Sequence, residues 1–136
     1  MNWTGYFKEL AEYYAGDNWR VYDNVDPARV WDGEPTIEFA RRGVETTPYL
    51  SGDYSEATQL SLFTRAETET KADEAARAVF ARVVTVALDA LLKTDKISGY
   101  RIDRQGVFAD ERGASIGESF SGFVDFTIFE EVINYG

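Results

Sequence analysis

The chain has 136 residues, enough to bury roughly two-thirds of the surface its unfolded form exposes, so one domain over residues 1–136 needs no covalent staple. It contains no cysteine and no histidine, which excludes disulfides, thiolate metal sites and mechanisms built on an imidazole base. A net charge of −10 and a pI near 4.4 repel phosphate; they argue against wrapping nucleic acid and are compatible with letting it pass without adhesion.

A hydrophobic share of 44% argues against disorder. No apolar run has the length of a membrane span. The first residues lack the basic flank and apolar centre of a signal peptide, so the expected product is soluble and made in the cytoplasm.

Residues 4–14 predict a short helix capped by Thr4, with Tyr6, Phe7, Leu10, Tyr13 and Tyr14 at near-helical spacing and Gly16-Asp17-Asn18 ending it. Residues 19–22 form a short extended run. Asp26 before Pro27 marks a turn, because a residue preceding proline is pushed out of helical space. Asp32-Gly33 marks another. Residues 36–41 alternate, Ile37 and Phe39 facing one way and Thr36 and Glu38 the other, which predicts a half-buried strand. Residues 42–55, with Gly43, Pro48 and Gly52, read as a loop. Residues 58–65 alternate again, with Leu60, Leu62 and Thr64 on one face.

Residues 70–93 predict the one long helix, roughly 35 Å in length at 1.5 Å per residue. Ala72, Ala76, Val79, Phe80, Val83, Ala87 and Leu91 fall on one stripe; Lys71, Glu74, Ala78, Arg82, Thr85 and Asp89 fall opposite. Thr70 is the expected N-cap, with Asp73 and Glu74 in the first turn and Lys93 at the far end, as the helix dipole favours. Residues 97–104 predict a strand with Tyr100 and Ile102 on one face. Residues 105–117 read as a polar loop around Phe108. Residues 118–133 form the longest β run, with Phe120, Gly122, Val124, Phe126 and Ile128 opposite Phe123, Asp125, Thr127 and Phe129. Strands separated by loops and one crossover helix predict an α+β fold: a mostly antiparallel β-sheet packed against one long helix, plus a short N-terminal helix.

Chemistry-bearing patterns are sparse. A serine nucleophile has no histidine base. Asp110-Glu111 and Glu130-Glu131 are adjacent pairs, but neighbours in a strand point to opposite faces and do not converge. The acids between 103 and 111 do not match a calcium loop. Gly113–Gly117 lacks the lysine and length of a phosphate loop and reads as a hairpin tip. No catalytic, cofactor-binding or metal-ligating residue is assigned, and no cofactor is expected.

Trp3, Trp31, Tyr22, Tyr49, Tyr54, Phe63, Phe108, Phe123 and Phe129 fall in loops or on the strand face away from the long helix. Packing of that second face accounts for part of the set; Trp31, Tyr49, Tyr54 and Phe108 are candidate subunit or partner contacts. From Glu118 onward there are four acids and no lysine or arginine. They either discourage pairing at an exposed edge strand or line a surface that faces something anionic.

The order of elements resembles the tail terminator (minor capsid, tail-completion) proteins of long-tailed bacteriophages. The residues that carry the resemblance are the proline-punctuated aromatic segment 22–35, TIEFA at 36–40, LSLFTRA at 60–66 running into the alanine-rich helix 72–92, and the terminal strands around 97–104 and 120–128. The resemblance implies a structural virion protein at the head–tail junction and no enzymatic activity. It implies a self-associating ring, commonly hexameric, that caps the tail tube protein, stops its polymerisation and accepts the head-tail connector or stopper protein. DNA passes through the lumen without specific binding, and no membrane is involved. Asp125, Glu130 and Glu131 are then candidate lumen-facing acids, a placement drawn from charge rather than from a family motif. Two other readings stand beside it: another neck protein of the same virion, or a small α+β ligand-binding domain with Phe123, Phe129, Tyr100 and Asp125 lining a pocket.

Overall fold

Alternation of apolar side chains sets the inner face of the sheet. Ile37, Phe39, Leu60, Leu62, Val124, Phe126 and Ile128 are fully buried and lie side by side on neighbouring strands. The computed structural model describes residues 1–113 and 118–133. Its strands are β1 (Arg20–Tyr22), β2 (Thr36–Pro48), β3 (Tyr54–Ala66), β4 (Gly99–Ala109) and β5 (Phe120–Val132). They form one sheet in the order β1-β2-β3-β5-β4. Among the described residues only the β1–β2 pair is parallel, so the fold is α+β with a largely antiparallel mixed sheet.

Two helices cover the inner face. Helix α1 (Trp3–Ala15) buries Trp3, Phe7, Ala11 and Ala15, an i, i+4 stripe; Phe7 stacks on Phe39 at 5.6 Å and meets Phe126 edge-on at 5.8 Å. Its cap is Asn2, whose side chain accepts from the Gly5 N–H, two residues earlier than the expected Thr4 cap. Helix α2 is continuous through an α-helical stretch (Glu69–Val79), a π-helical turn (Phe80–Val84) and a second α-helical stretch (Thr85–Lys93). Thr68, not Thr70, caps it, accepting from the Lys71 N–H. The predicted stripe of Ala72, Ala76, Val79, Phe80, Val83 and Ala87 is buried, and Leu91 packs at its margin.

Val84 and Leu88 are fully buried as well, although the predicted stripe does not include them. The π turn holds one extra residue, which rotates the following helix by about 100° and brings this second pair onto the sheet. Phe80 begins that turn and meets Phe126 edge-on at 5.2 Å.

Three expectations are corrected. Residues 42–48, expected as loop, continue β2, and residues 105–109 continue β4. Residues 44–48 are exposed on both faces, residues 105–109 mix exposed and half-buried positions, and each segment follows a bulge, at Arg42 and at Asp103, so no clean alternation marks them. The acid-bearing last strand is not an edge: β5 lies between β3 and β4, and the free edges are β1, β4 and β2 beyond Glu38. Of the hairpin tip expected at Gly113–Gly117, residues 114–117 lie outside the described residues.

Candidate functional site

On the sheet face away from the helices, one end is closed by residues 23–34 and 110–113. Asp26 starts a turn by accepting from the Ala28 N–H at 2.9 Å, as the Asp-Pro pair predicts. Arg29, three residues on, places its guanidinium 3.6 Å from the Tyr22 ring centre and bonds Glu38 at 2.7 Å. Arg112 reaches the same carboxylate from the other side at 2.6 Å, and holds Asp110 at 2.8 Å. Gly113 lets this strand of chain lie on residue 29, since a Cβ there would meet the Arg29 carbonyl oxygen at 2.5 Å and φ is +67°.

Arg65 is the third cation of the group and is 4% exposed. Its Nε donates to Ser119 Oγ at 3.0 Å and its Nη2 to the carbonyls of Asp110 and Arg112. Burial is the main reason its guanidinium holds its proton less tightly than usual, and Asp110 partly offsets this. Burial pushes the Asp110 carboxyl up, but hydrogen bonds from Arg112 and Ser121 outweigh it and bring the group down to about 2. Burial also works against the Arg112 cation, and bonds to Asp110 and Glu38 outweigh it and raise it. Both carboxylates are therefore saturated with cationic donors. They act as clamps between loop and sheet. The space they enclose with Trp31 is about 110 Å³, below the roughly 300–1,000 Å³ of small-molecule sites.

Further along the same face, Ser61 Oγ donates to Asp125 at 2.6 Å, and Arg104 donates to the other oxygen at 3.2 Å. Arg42 lies 3.8 Å from Asp125 and 3.6 Å from Asp103. Burial raises Asp103, but hydrogen bonds from Thr127 and Arg101 outweigh it and lower the group overall. Phe63, Phe108 and Phe123 pack edge-on and tilted beside these ions, with Phe108 partly exposed.

The predicted contact residues do not form one patch. Trp31 is buried and donates its indole N–H to the Glu34 carbonyl at 2.7 Å, so it roofs the ion cluster instead of facing outward. Trp3, also expected outside, lies in the core. Tyr49 is exposed at the end of β2–β3 and Tyr54 is half-buried beside it, whereas Phe108 sits on edge strand β4. Asp125 is 4% exposed and ion-paired, which corrects its reading as a lumen acid: on the sheet face away from the helices, Ser61 and the side chains of Arg42 and Arg104 cover it. Glu130 accepts the Trp3 indole N–H at 3.1 Å, leaving Glu131 as the exposed member of the three. Tyr100 lies on the helix face, where its hydroxyl donates to Asp89, so it shares no pocket with Phe123, Phe129 and Asp125.

Sequence reasoning did not find Arg29, Arg65, Arg112 and Glu38 as a group. Arginines at 65 and 112 flank β segments and look solvated in one dimension; only the fold brings them within reach of Glu38. Among the described residues no group of three acids, histidines or cysteines is placed to hold a metal ion, and no helix is long and apolar enough to cross a membrane. The outstanding exposed feature is an arm. Residues 44–52 are exposed throughout, with Val44, Tyr49 and Leu50 as its apolar side chains.

The chain matches no known family model, and no curated protein matches it.

Proposed function

We propose that this chain is a structural virion protein, a tail terminator that forms a ring on the tail tube, stops its growth and offers the head-attachment surface. The observation that supports this reading most is the projecting β2–β3 arm. Residues 44–52, the end of β2 and its turn, are exposed throughout while β3 beside them is half-buried and paired with β5, and the turn carries Tyr49 and Leu50 into solvent, apolar groups that a partner would cover. Free backbone edges on β4 and on β2 after Glu38 add further surfaces for association.

The ion-paired end of the sheet suits the same role, since it locks residues 23–34 and 110–113 into a fixed outline for a partner to meet. The small ligand-binding reading loses the pocket it named, because Tyr100 lies on the opposite face of the sheet from Phe123, Phe129 and Asp125. DNA passes through the ring without specific binding, and the exposed acids Glu131 and Glu45 favour such passage.

Electron microscopy of tails assembled with and without the protein tests the proposal. Abnormally long tubes in its absence are the expected result; tubes of unchanged length overturn it. Binding to purified connectors but not to tail tubes would instead assign the chain to another level of the neck.

A further inference from the structure

We infer that the arm tip, Tyr49 and Leu50, seats in the groove between α1 and α2 of a second copy of this chain. This inference rests on the ring reading above and names the contact that closes it.

The groove is an open notch of about 520 Å³ on the outer side of the helix layer. Tyr6, Leu10 and Tyr14 of α1 line one wall, and Val83, Val86 and Ala87 of α2 line the other. Val86 and Tyr13 stand well out into solvent, at 61% and 94% exposure. The notch has room for a leucine and a tyrosine side chain with the turn that carries them. Leu50 is fully exposed, at 109%. Its turn is fixed in advance, because the Tyr49 N–H donates to the Asp53 carbonyl at 2.8 Å and the Gly52 N–H to the Tyr49 carbonyl at 3.2 Å. A fixed tip loses little conformational freedom on binding.

Charge selects the occupant. Arg82 is the charged side chain that lines the groove; its Nη1 reaches the Tyr14 hydroxyl at 3.4 Å, and it makes no ion pair among the described residues. Between Gly43 and Thr64 the chain carries Glu45, Asp53 and Glu56 and no lysine or arginine. An acidic arm with an apolar tip thus complements an apolar groove with a cation on its wall.

The tip does not reach its own groove. It lies roughly 40 Å along β2 from Thr36 at 3.3 Å per residue. Helix α1 begins beside Glu130, which stands in register with Glu56 and Thr46 two residue pairs before the last rung of the arm, and runs from there away from the tip towards β1. Each copy therefore presents one tip and one groove on different surfaces, a head-to-tail contact that forms a ring when its rotation closes.

The absence of cysteine makes the test clean. Leu50→Cys and Val86→Cys are made as separate variants and as a double variant, their folding is checked by circular dichroism, and mild oxidation is followed on non-reducing gels. The equal mixture of single variants gives a disulfide dimer about tenfold more abundant than either variant alone, and the double variant gives a ladder ending in closed rings. Arg82→Glu lowers that yield about tenfold, and Glu45→Arg in the partner restores it. A double variant that stops at dimers shows reciprocal exchange and overturns the head-to-tail contact. Rings seen by native mass spectrometry with no cross-link overturn the contact and leave the ring reading standing. No assembly, alone or on tail tubes, overturns both.

Discussion

Arg112 grips Glu38 across the sheet with two nearly parallel hydrogen bonds, Nη2 to Oε1 at 2.6 Å and Nη1 to Oε2 at 3.2 Å, although 74 residues separate them. Arg29 approaches Oε2 from the opposite side at 2.7 Å, and Glu38 is almost wholly buried. Removing one partner of such a group leaves buried charge uncompensated, which costs about 3–5 kcal/mol. Glu38→Gln is accordingly expected to lower the urea unfolding free energy by about 3 kcal/mol, since both arginines lose a carboxylate. A loss below about 1 kcal/mol, the size seen for exposed ion pairs, shows that solvent reaches the cluster.

Asp110 gives this cluster a pH dependence. Its carboxyl sits at about 2, because bonds from Arg112 and Ser121 outweigh the effect of burial, whereas the unfolded chain has it near the ordinary value of about 3.9. A group whose folded value is depressed stabilises the fold above the unfolded value, and that stability is lost as pH falls through about 4 towards about 2. Asp103, also lowered, acts with the same sign. Urea midpoints measured at about pH 7, 4 and 2.5 are expected to fall more steeply for the wild type than for Asp110→Asn. Parallel curves exclude Asp110 as a source of acid sensitivity.

The elements with one apolar face and one polar face were legible in the sequence. Leu60, Leu62, Val124, Phe126 and Ile128 alternate with polar residues, and the Ala72 to Ala87 stripe repeats at helical spacing, because packing against the apolar core imposes a period. The polar face of the strands is buried too, at Glu38, Ser61, Arg65 and Asp125, which alternation does not reveal. Residues 44–48 are all exposed and carry no period, so β2 was visible only over its first residues. The bulges at Arg42 and Asp103 and the π turn at Phe80 reset the phase and hid the rest. The candidate site was harder still. Tyr49 was legible as an exposed aromatic, but the Glu38–Arg112–Asp110–Arg65 cluster joins side chains from three parts of the chain, and Trp31 and Asp125 proved to be buried by arginines that linear reading left in solvent.

Gly122 fixes how closely α2 approaches the sheet. A Cβ there would lie 2.1 Å from the Ala72 carbonyl oxygen and 3.0 Å from the Ala76 Cβ. The same carbonyl accepts from Thr64 Oγ1 at 2.7 Å, which ties the first turns of the helix to β3. Backbone atoms do not yield as a side-chain end does, so Gly122→Ala must move the helix. A destabilisation of about 3 kcal/mol, the upper range for overpacking, is expected from thermal or urea unfolding. A variant as stable as the wild type shows that α2 shifts freely over the sheet.

Glu131 isolates the lumen question. Glu130 is a compromised probe, because its carboxylate holds the Trp3 indole N–H at 3.1 Å; losing that partner costs about 1–3 kcal/mol and disturbs the start of α1. Asp125 is buried among Ser61, Arg42 and Arg104 and fails for the same reason. Glu131 is exposed on β5, so Glu131→Lys is expected to move the thermal midpoint by no more than about 2 °C. If this end of the sheet faces the channel, the reversed charge attracts passing phosphates and slows their exit. Tails of normal length then form but deliver less DNA, read as a lower infectious titre per particle. An unchanged titre means that Glu131 points away from the DNA path, and the search for the lumen wall moves to the arm acid Glu45.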